Sequence, residues 1–232
     1  MDDQLLPIQK RRQNLISLAG VVIAIVFPFV LSLLIIVSGL SYPEKVLYSR
    51  FIFWAEVLFL MLYASKVEHC KFLIWEDKPA DIGFFLVSVV ALYFLSLACG
   101  IIGSMPRFLG WHENNAAFKR IITTFMNRPW LMLFTAVTAG VTEELIFRGY
   151  ILTRLSLLFK NRYMPLVISA FAFASLHYSY RSLREYIFTF LIGILFGAYY
   201  QKYRNIKVLI VVHFMIDIIS LEIGTHFYKL IK

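Results

Sequence analysis

The sequence predicts an all-α fold, a polytopic helical membrane protein with about 7–8 transmembrane helices. Three observations carry this expectation. Hydrophobic residues make up 60% of the 232 and charged residues only 16%, against about a quarter charged in ordinary soluble domains. The apolar residues form long runs with a mean hydropathy of +0.73, of the length needed to cross about 30 Å of hydrocarbon as helices. Charges punctuate the ends of those runs, where lipid-facing anchors belong.

Taken in order, the first run, 15–40, follows Lys10, Arg11 and Arg12. It is too long for the apolar region of a signal peptide and has no small-residue cleavage site, so it reads as the first span. Runs at 47–65 and 82–104 supply the second and third. The segment 105–128 interleaves Trp111, Phe118, Ile121, Ile122 and Phe125 with Lys119, Arg120 and Arg128, the pattern of an amphipathic helix lying on the membrane and covering a site entrance. Pro129 then opens the fourth span, 130–158, at a position where proline suits a first helical turn. Runs at 163–180, 186–201 and 206–225 complete seven, the 186–201 run being short enough to need extension at its polar ends. The chain divides accordingly into 1–128, N-terminal spans with the amphipathic connection, and 129–225, the later spans that hold the polar residues taken up below.

The formal net charge is +9. Its cations lie at run ends, which assigns them to lipid headgroups and topology and excludes nucleic acid as the partner. With the N-terminus cytoplasmic, 13 of the 23 Lys and Arg fall inside and 10 outside. Cys70 and Cys99 have neither metal-ligand nor disulfide spacing and read as unpaired thiols.

The chemistry concentrates in the later spans. Glu143 and Glu144 stand side by side in an apolar run, and a carboxylate in hydrocarbon costs several kcal/mol unless paired, hydrated or protonated. Glu144 and Arg148 are i,i+4 and share a helix face, so they pair easily. Glu143 points about 100° away and is left as the tunable carboxylate. Burial and a neighbouring imidazolium act on it in opposite senses, which suits a general base. At about 1.5 Å per residue, Glu143 and His177 each lie about 21 Å along their spans, with Asp217 and His213 within one or two turns of that level. His213 and Asp217 are themselves i,i+4. Either the carboxylate fixes the imidazole tautomer, or both face the cavity and support an oxyanion.

These residues, in this order, resemble the CPBP family, the Abi or CAAX-protease-like intramembrane endopeptidases. Its EExxxR motif is matched by Glu143-Glu144-Leu145-Ile146-Phe147-Arg148, its FxxxH motif by Phe173-Ala174-Ser175-Leu176-His177, and its HxxxN/D motif by His213-Phe214-Met215-Ile216-Asp217. The resemblance covers about residues 129–222. It implies a helical membrane fold that cleaves peptide bonds of a membrane-associated peptide or protein without a cofactor or metal. Glu143 and His177 would activate water and His213 with Asp217 would support the oxyanion, while Glu144, Arg148 and Phe173 would hold the site. Aspartate at the last motif position belongs to the bacterial branch, whereas asparagine stands in the eukaryotic-type members, which process prenylated CAAX proteins. The resemblance therefore implies a bacterial plasma-membrane protein, with a role in bacteriocin self-immunity or peptide maturation. Two alternatives stay open: a zinc peptidase using His177, His213 and a carboxylate, although HExxH is absent, and a non-catalytic immunity or scaffold protein. Oligomeric state is not legible.

Overall fold

A computed structural model of the protein describes residues 7–112 and 116–231. Every regular element among them is helical. In order these are α1 (Pro7–Val37), α2 (Tyr42–Lys66), α3 (Ile82–Gly103), α4 (Met105–Phe108), α5 (Ala116–Met126), α6 (Pro129–Glu144), a π-helical stretch (Leu145–Leu152), α7 (Thr153–Leu158), α8 (Tyr163–Ser175), a 3₁₀ turn (Leu176–Tyr180), α9 (Leu183–Tyr203) and α10 (Ile206–Ile231).

Against the expected seven spans, five stretches among the described residues are long and apolar enough to cross a membrane: Ile8–Val37, Tyr42–Lys66, Ile82–Phe108, Pro129–Leu158 and Leu183–Tyr203. The expected first span begins earlier because the basic turn Lys10–Arg12 continues the helix, Lys and Arg being good helix formers. The short 186–201 run does extend at its polar ends. Ser182 accepts a hydrogen bond from the Glu185 N–H at 3.1 Å to cap its start, and Arg204 closes its end in the left-handed region at φ 49°. The segment 163–180 is α-helical only to Ser175 and then tightens into the 3₁₀ turn. The amphipathic connection is shorter than expected. It holds the four-residue α4 and the 11-residue α5, and residues 113–115 within it lie outside the described residues. α5 packs against α10, α6 and the 3₁₀ turn.

Pro129–Leu158 is the central rod. Of its most apolar window 61% is buried, against 22% for each of the first three candidate spans. Ile146, Phe147, Tyr150, Ile151 and Leu152 along it join one core that runs from Val21 of α1 to Val212 of α10. The N-terminal helices and the later ones thus bury their apolar faces together. At the far end of the rod, Arg154 binds Glu68 at 2.8 Å, with both side chains essentially inaccessible. The Tyr150 hydroxyl donates to the other Glu68 oxygen at 3.1 Å, and Arg154 also donates to the Phe72 and Lys71 carbonyls. One guanidinium thereby ties the connection after α2 to the rod, its charge matched and its donors used, as a buried cation requires.

Small residues bring the later helices close. A Cβ on Gly193 of α9 would stand 2.7 Å from the Ala170 backbone of α8, so these helices pack at near backbone contact, the arrangement expected where lipid offers no hydrophobic drive for association. The start of α10 is fixed by two side chains: Asp77 accepts from the Ile206 N–H at 3.2 Å and Asn205 from the Val208 N–H at 3.3 Å. That anchoring sets the register of His213, two turns further on.

Candidate active site

Glu143 and Glu144 end α6, and the backbone loosens into π-helix at the next residue. π segments are rare and concentrate at functional sites, because the wider turn re-aims side chains. Here the carbonyl of Phe147 within it accepts from the Ser169 hydroxyl at 3.0 Å, and that of Gly149 accepts from the Thr153 hydroxyl at 2.7 Å.

Glu144 is fully buried and its Oε1 serves two partners. Arg148 Nη1 donates to it at 2.8 Å, as the i,i+4 spacing predicts, and His213 Nδ1 lies 2.7 Å away. Arg148 also donates through Nη2 to the Ile192 carbonyl at 3.3 Å. Its guanidinium lies over the rings of Phe173 at 4.5 Å and Phe196 at 5.3 Å, a stacking that suits its delocalised charge. Glu144 is therefore the group that orients His213. Of the two arrangements open for His213 and Asp217, a direct hydrogen bond that fixes the tautomer is not the one found: Asp217 Oδ2 stands 3.8 Å from His213 Nε2, beyond hydrogen-bond length. The reason is reach, since Glu144 of α6 comes to 2.7 Å of Nδ1 while Asp217 sits one turn further along the same helix. With Nδ1–H given to Glu144, Nε2 is the nitrogen that faces Glu143, at 3.9 Å.

Gly140 makes that contact possible. A Cβ there would meet the Ile210 carbonyl and the Phe214 N–H of α10, each at 3.1 Å. Gly140→Val should force α6 and α10 apart, lowering stability by about 1–3 kcal/mol as overpacking does. Unfolding midpoints in detergent should show a clear drop for valine and a smaller one for alanine.

Glu143 keeps a sliver of exposure, 6%, where Glu144 has none. Its nearest cation is Arg50 Nη1 of α2 at 3.7 Å, and it makes no direct hydrogen bond or ion pair with His177. The structure ties His177 to the cluster in other ways. Its Nδ1 lies 3.2 Å from the Phe173 carbonyl, which as acceptor leaves Nε2 free. Its ring meets that of Phe173 edge-on at 5.2 Å and stacks on Tyr180. It is also in electrostatic range of Asp217. Phe173 touches His177, His213, Phe147 and Arg148 together, so one aromatic ring spaces both imidazoles. The sequence-predicted residues thus gather at one place, with Asp217 at 30% side-chain exposure.

Two charged residues of α2 were missed by the sequence reading. Arg50 reaches Glu143 from α2, and Glu56 is fully buried on the same helix. The rule that singled out Glu143, a charge inside an apolar run, would have found both. Among the described residues no group of three or more His, Cys, Asp and Glu side chains is placed to hold a metal ion, and His213 Nδ1 is already engaged by Glu144.

Residues 125–219 match the family model described as Type II CAAX prenyl endopeptidase Rce1-like. This stretch is an Rce1-like domain, within the CPBP family. The Rce1-like domain contains Glu143, Glu144, Arg148, Phe173, His177, His213 and Asp217, whereas Arg50 lies before it. No curated protein and no solved structure matches the chain. A domain from a family of membrane endopeptidases, in a chain with five stretches able to cross a bilayer, makes this a multi-pass membrane protein.

Proposed function

We propose that the protein is an intramembrane endopeptidase of the glutamic type, in a bacterial plasma membrane, crossing it with seven or eight helices. The observation that carries this reading is the unequal treatment of two adjacent carboxylates. Glu144 is locked between Arg148 and His213, while Glu143 has only ion-pair neighbours, at 3.7 and 3.9 Å, and lone pairs free to accept from water. A base needs that freedom and a structural anchor does not.

In the proposed reaction a water lies between Glu143 and His177. Glu143 takes one of its protons while the hydroxide adds to the scissile carbonyl, and His177 orients the water through Nε2. The oxyanion that forms accepts from Nε2–H of His213 in its doubly protonated form, whose Nδ1–H goes to Glu144, and from a water held by Asp217 at the open edge. Each well-placed donor in such a water-poor site contributes about 3–4 kcal/mol. The proton on Glu143 then passes to the departing amine. The substrate is a membrane-associated peptide or protein, and its cleavage serves self-immunity or peptide maturation. Aspartate at position 217 supports a substrate class other than the prenylated proteins named in the family's description.

The test is reconstitution of the full chain in liposomes with candidate membrane peptides. Product formation by wild type and none by Glu143→Gln or His177→Ala supports the reading. Cleavage that survives in Glu143→Gln, or immunity that persists in it at normal abundance, removes it in favour of a non-catalytic protein. Loss of cleavage on chelation together with stoichiometric zinc in the purified protein would instead favour the zinc peptidase.

A further inference from the structure

Arg50 is poorly placed for a membrane anchor. It stands eight residues into α2 from Tyr42, about 12 Å along the helix, at the edge of the apolar run Phe51-Ile52-Phe53-Trp54. An arginine near a helix end ordinarily extends its head to water and lipid headgroups. This one turns inward, its side chain only 17% exposed, and its Nη1 comes to 3.7 Å of Glu143 Oε1. Its own helix holds it there. The Nε–H donates to the Ser49 hydroxyl at 3.2 Å, and the guanidinium lies over the Phe53 ring at 4.9 Å. α2 is in turn fixed against α6 by Trp54, whose indole N–H donates to the Thr138 hydroxyl at 3.2 Å, and by Phe51 against Phe134.

We propose that Arg50 is a positioning residue for Glu143, so that α2, which precedes the Rce1-like stretch 125–219, completes the active site. The two oxygens of Glu143 face different partners: Arg50 stands at Oε1 and His213 Nε2 at Oε2, 3.9 Å away. A carboxylate drawn to a fixed charge through one oxygen is restrained about its last bond, which keeps the other oxygen on the His213 side. The length of the contact matters. At 2.8 Å, Arg148 takes up an oxygen of Glu144 in a hydrogen bond and makes it an anchor. At 3.7 Å, Arg50 is beyond hydrogen-bond length, so it orients Glu143 by charge and leaves its lone pairs for water. The role in catalysis rests on the peptidase reading, whereas the pairing of α2 with α6 through these two residues does not.

The test uses the full-length chain in liposomes with the candidate membrane peptides of the reconstitution above. Arg50→Ala should lower kcat by about 10²-fold, the cost of a misplaced catalytic group, with KM nearly constant. Millimolar guanidinium, small enough to enter the space left by the side chain, should restore part of kcat in Arg50→Ala and none in Glu143→Gln. Arg50→Lys, which keeps the charge, should lose less than Arg50→Ala. A wild-type kcat in Arg50→Ala overturns the proposal, and so does a rise in KM with kcat unchanged, which would make Arg50 a substrate-binding group. Equal losses in the alanine and lysine variants with no response to guanidinium overturn it in favour of a purely structural role.

Unfolding midpoints in detergent for Arg50→Ala, Glu143→Gln and the double variant read the contact without any substrate. The double variant should lose less than the sum of the single losses, as residues in contact do, and additive losses overturn the pairing. Arg50→Gln, closer in shape, takes the place of Arg50→Ala in both measurements if that variant does not fold. Non-additive losses in a protein whose wild type cleaves no peptide would support the pairing and overturn the peptidase reading.

Discussion

Glu143→Gln is expected to reduce peptide cleavage by about 10²–10⁴-fold in kcat, the range for removal of a positioned general base. The substitution keeps the shape of the side chain and can still face Arg50 and His213, so the fold and abundance should hold. Only the capacity to accept a proton from water is lost. His177→Ala should also impair cleavage, because Phe173 still packs in place while the imidazole that orients water is gone. Rates over a range of peptide concentrations separate the two effects: a fall in kcat with KM nearly constant marks an interaction made in the transition state. Retention of the wild-type rate by Glu143→Gln would remove the residue from the chemistry.

Arg148→Leu is expected to destabilise the protein by about 3–5 kcal/mol, the cost of removing one member of a buried ion pair. Both side chains are sealed, at 1% and 0% exposure, so water cannot replace the lost guanidinium. Glu144 would retain only His213, and the rings of Phe173 and Phe196 would lose the cation stacked between them. Pairing the change with Glu144→Leu should recover part of the loss, since the uncompensated carboxylate is then gone, although His213 loses its acceptor. Arg148→Lys should be intermediate, as one ammonium cannot reach Glu144 and the Ile192 carbonyl in the same forked geometry. Unfolding midpoints in detergent for the four proteins check this. A loss within about 0.5 kcal/mol for Arg148→Leu, the range of an ordinary surface change, would show that the pair contributes little.

The residues of the proposed site show what periodicity can reveal. Glu144 and Arg148 are on one chain segment at a spacing that helical geometry makes adjacent, and their ion pair follows from that alone. Glu143, His177, His213 and Asp217 were legible because a polar side chain in an apolar run is costly enough to need a purpose. Arg50 and Glu56 carried the same signal, but they stand outside the motifs and were read as part of an ordinary span. The contacts between helices were not legible. Nothing in the spacing of His213 and Asp217 shows that Glu144, 69 residues earlier, takes the Nδ1 hydrogen bond, or that Glycine 140 permits it.

The sequence by itself determined the class of molecule and the identity of its polar residues, since hydrophobicity, spacing within a helix and the expense of buried charge are local properties. Only the tertiary structure decided which carboxylate orients His213, which stays free, and that α2 brings Arg50 to Glu143 while burying a second acid, Glu56, on the same helix. Those outcomes depend on how closely helices approach and at what register, which is set by steric fit at positions such as Gly140 and Gly193 and by caps such as Asp77. Fit of that kind is a property of pairs of surfaces, and a single run of residues does not contain it.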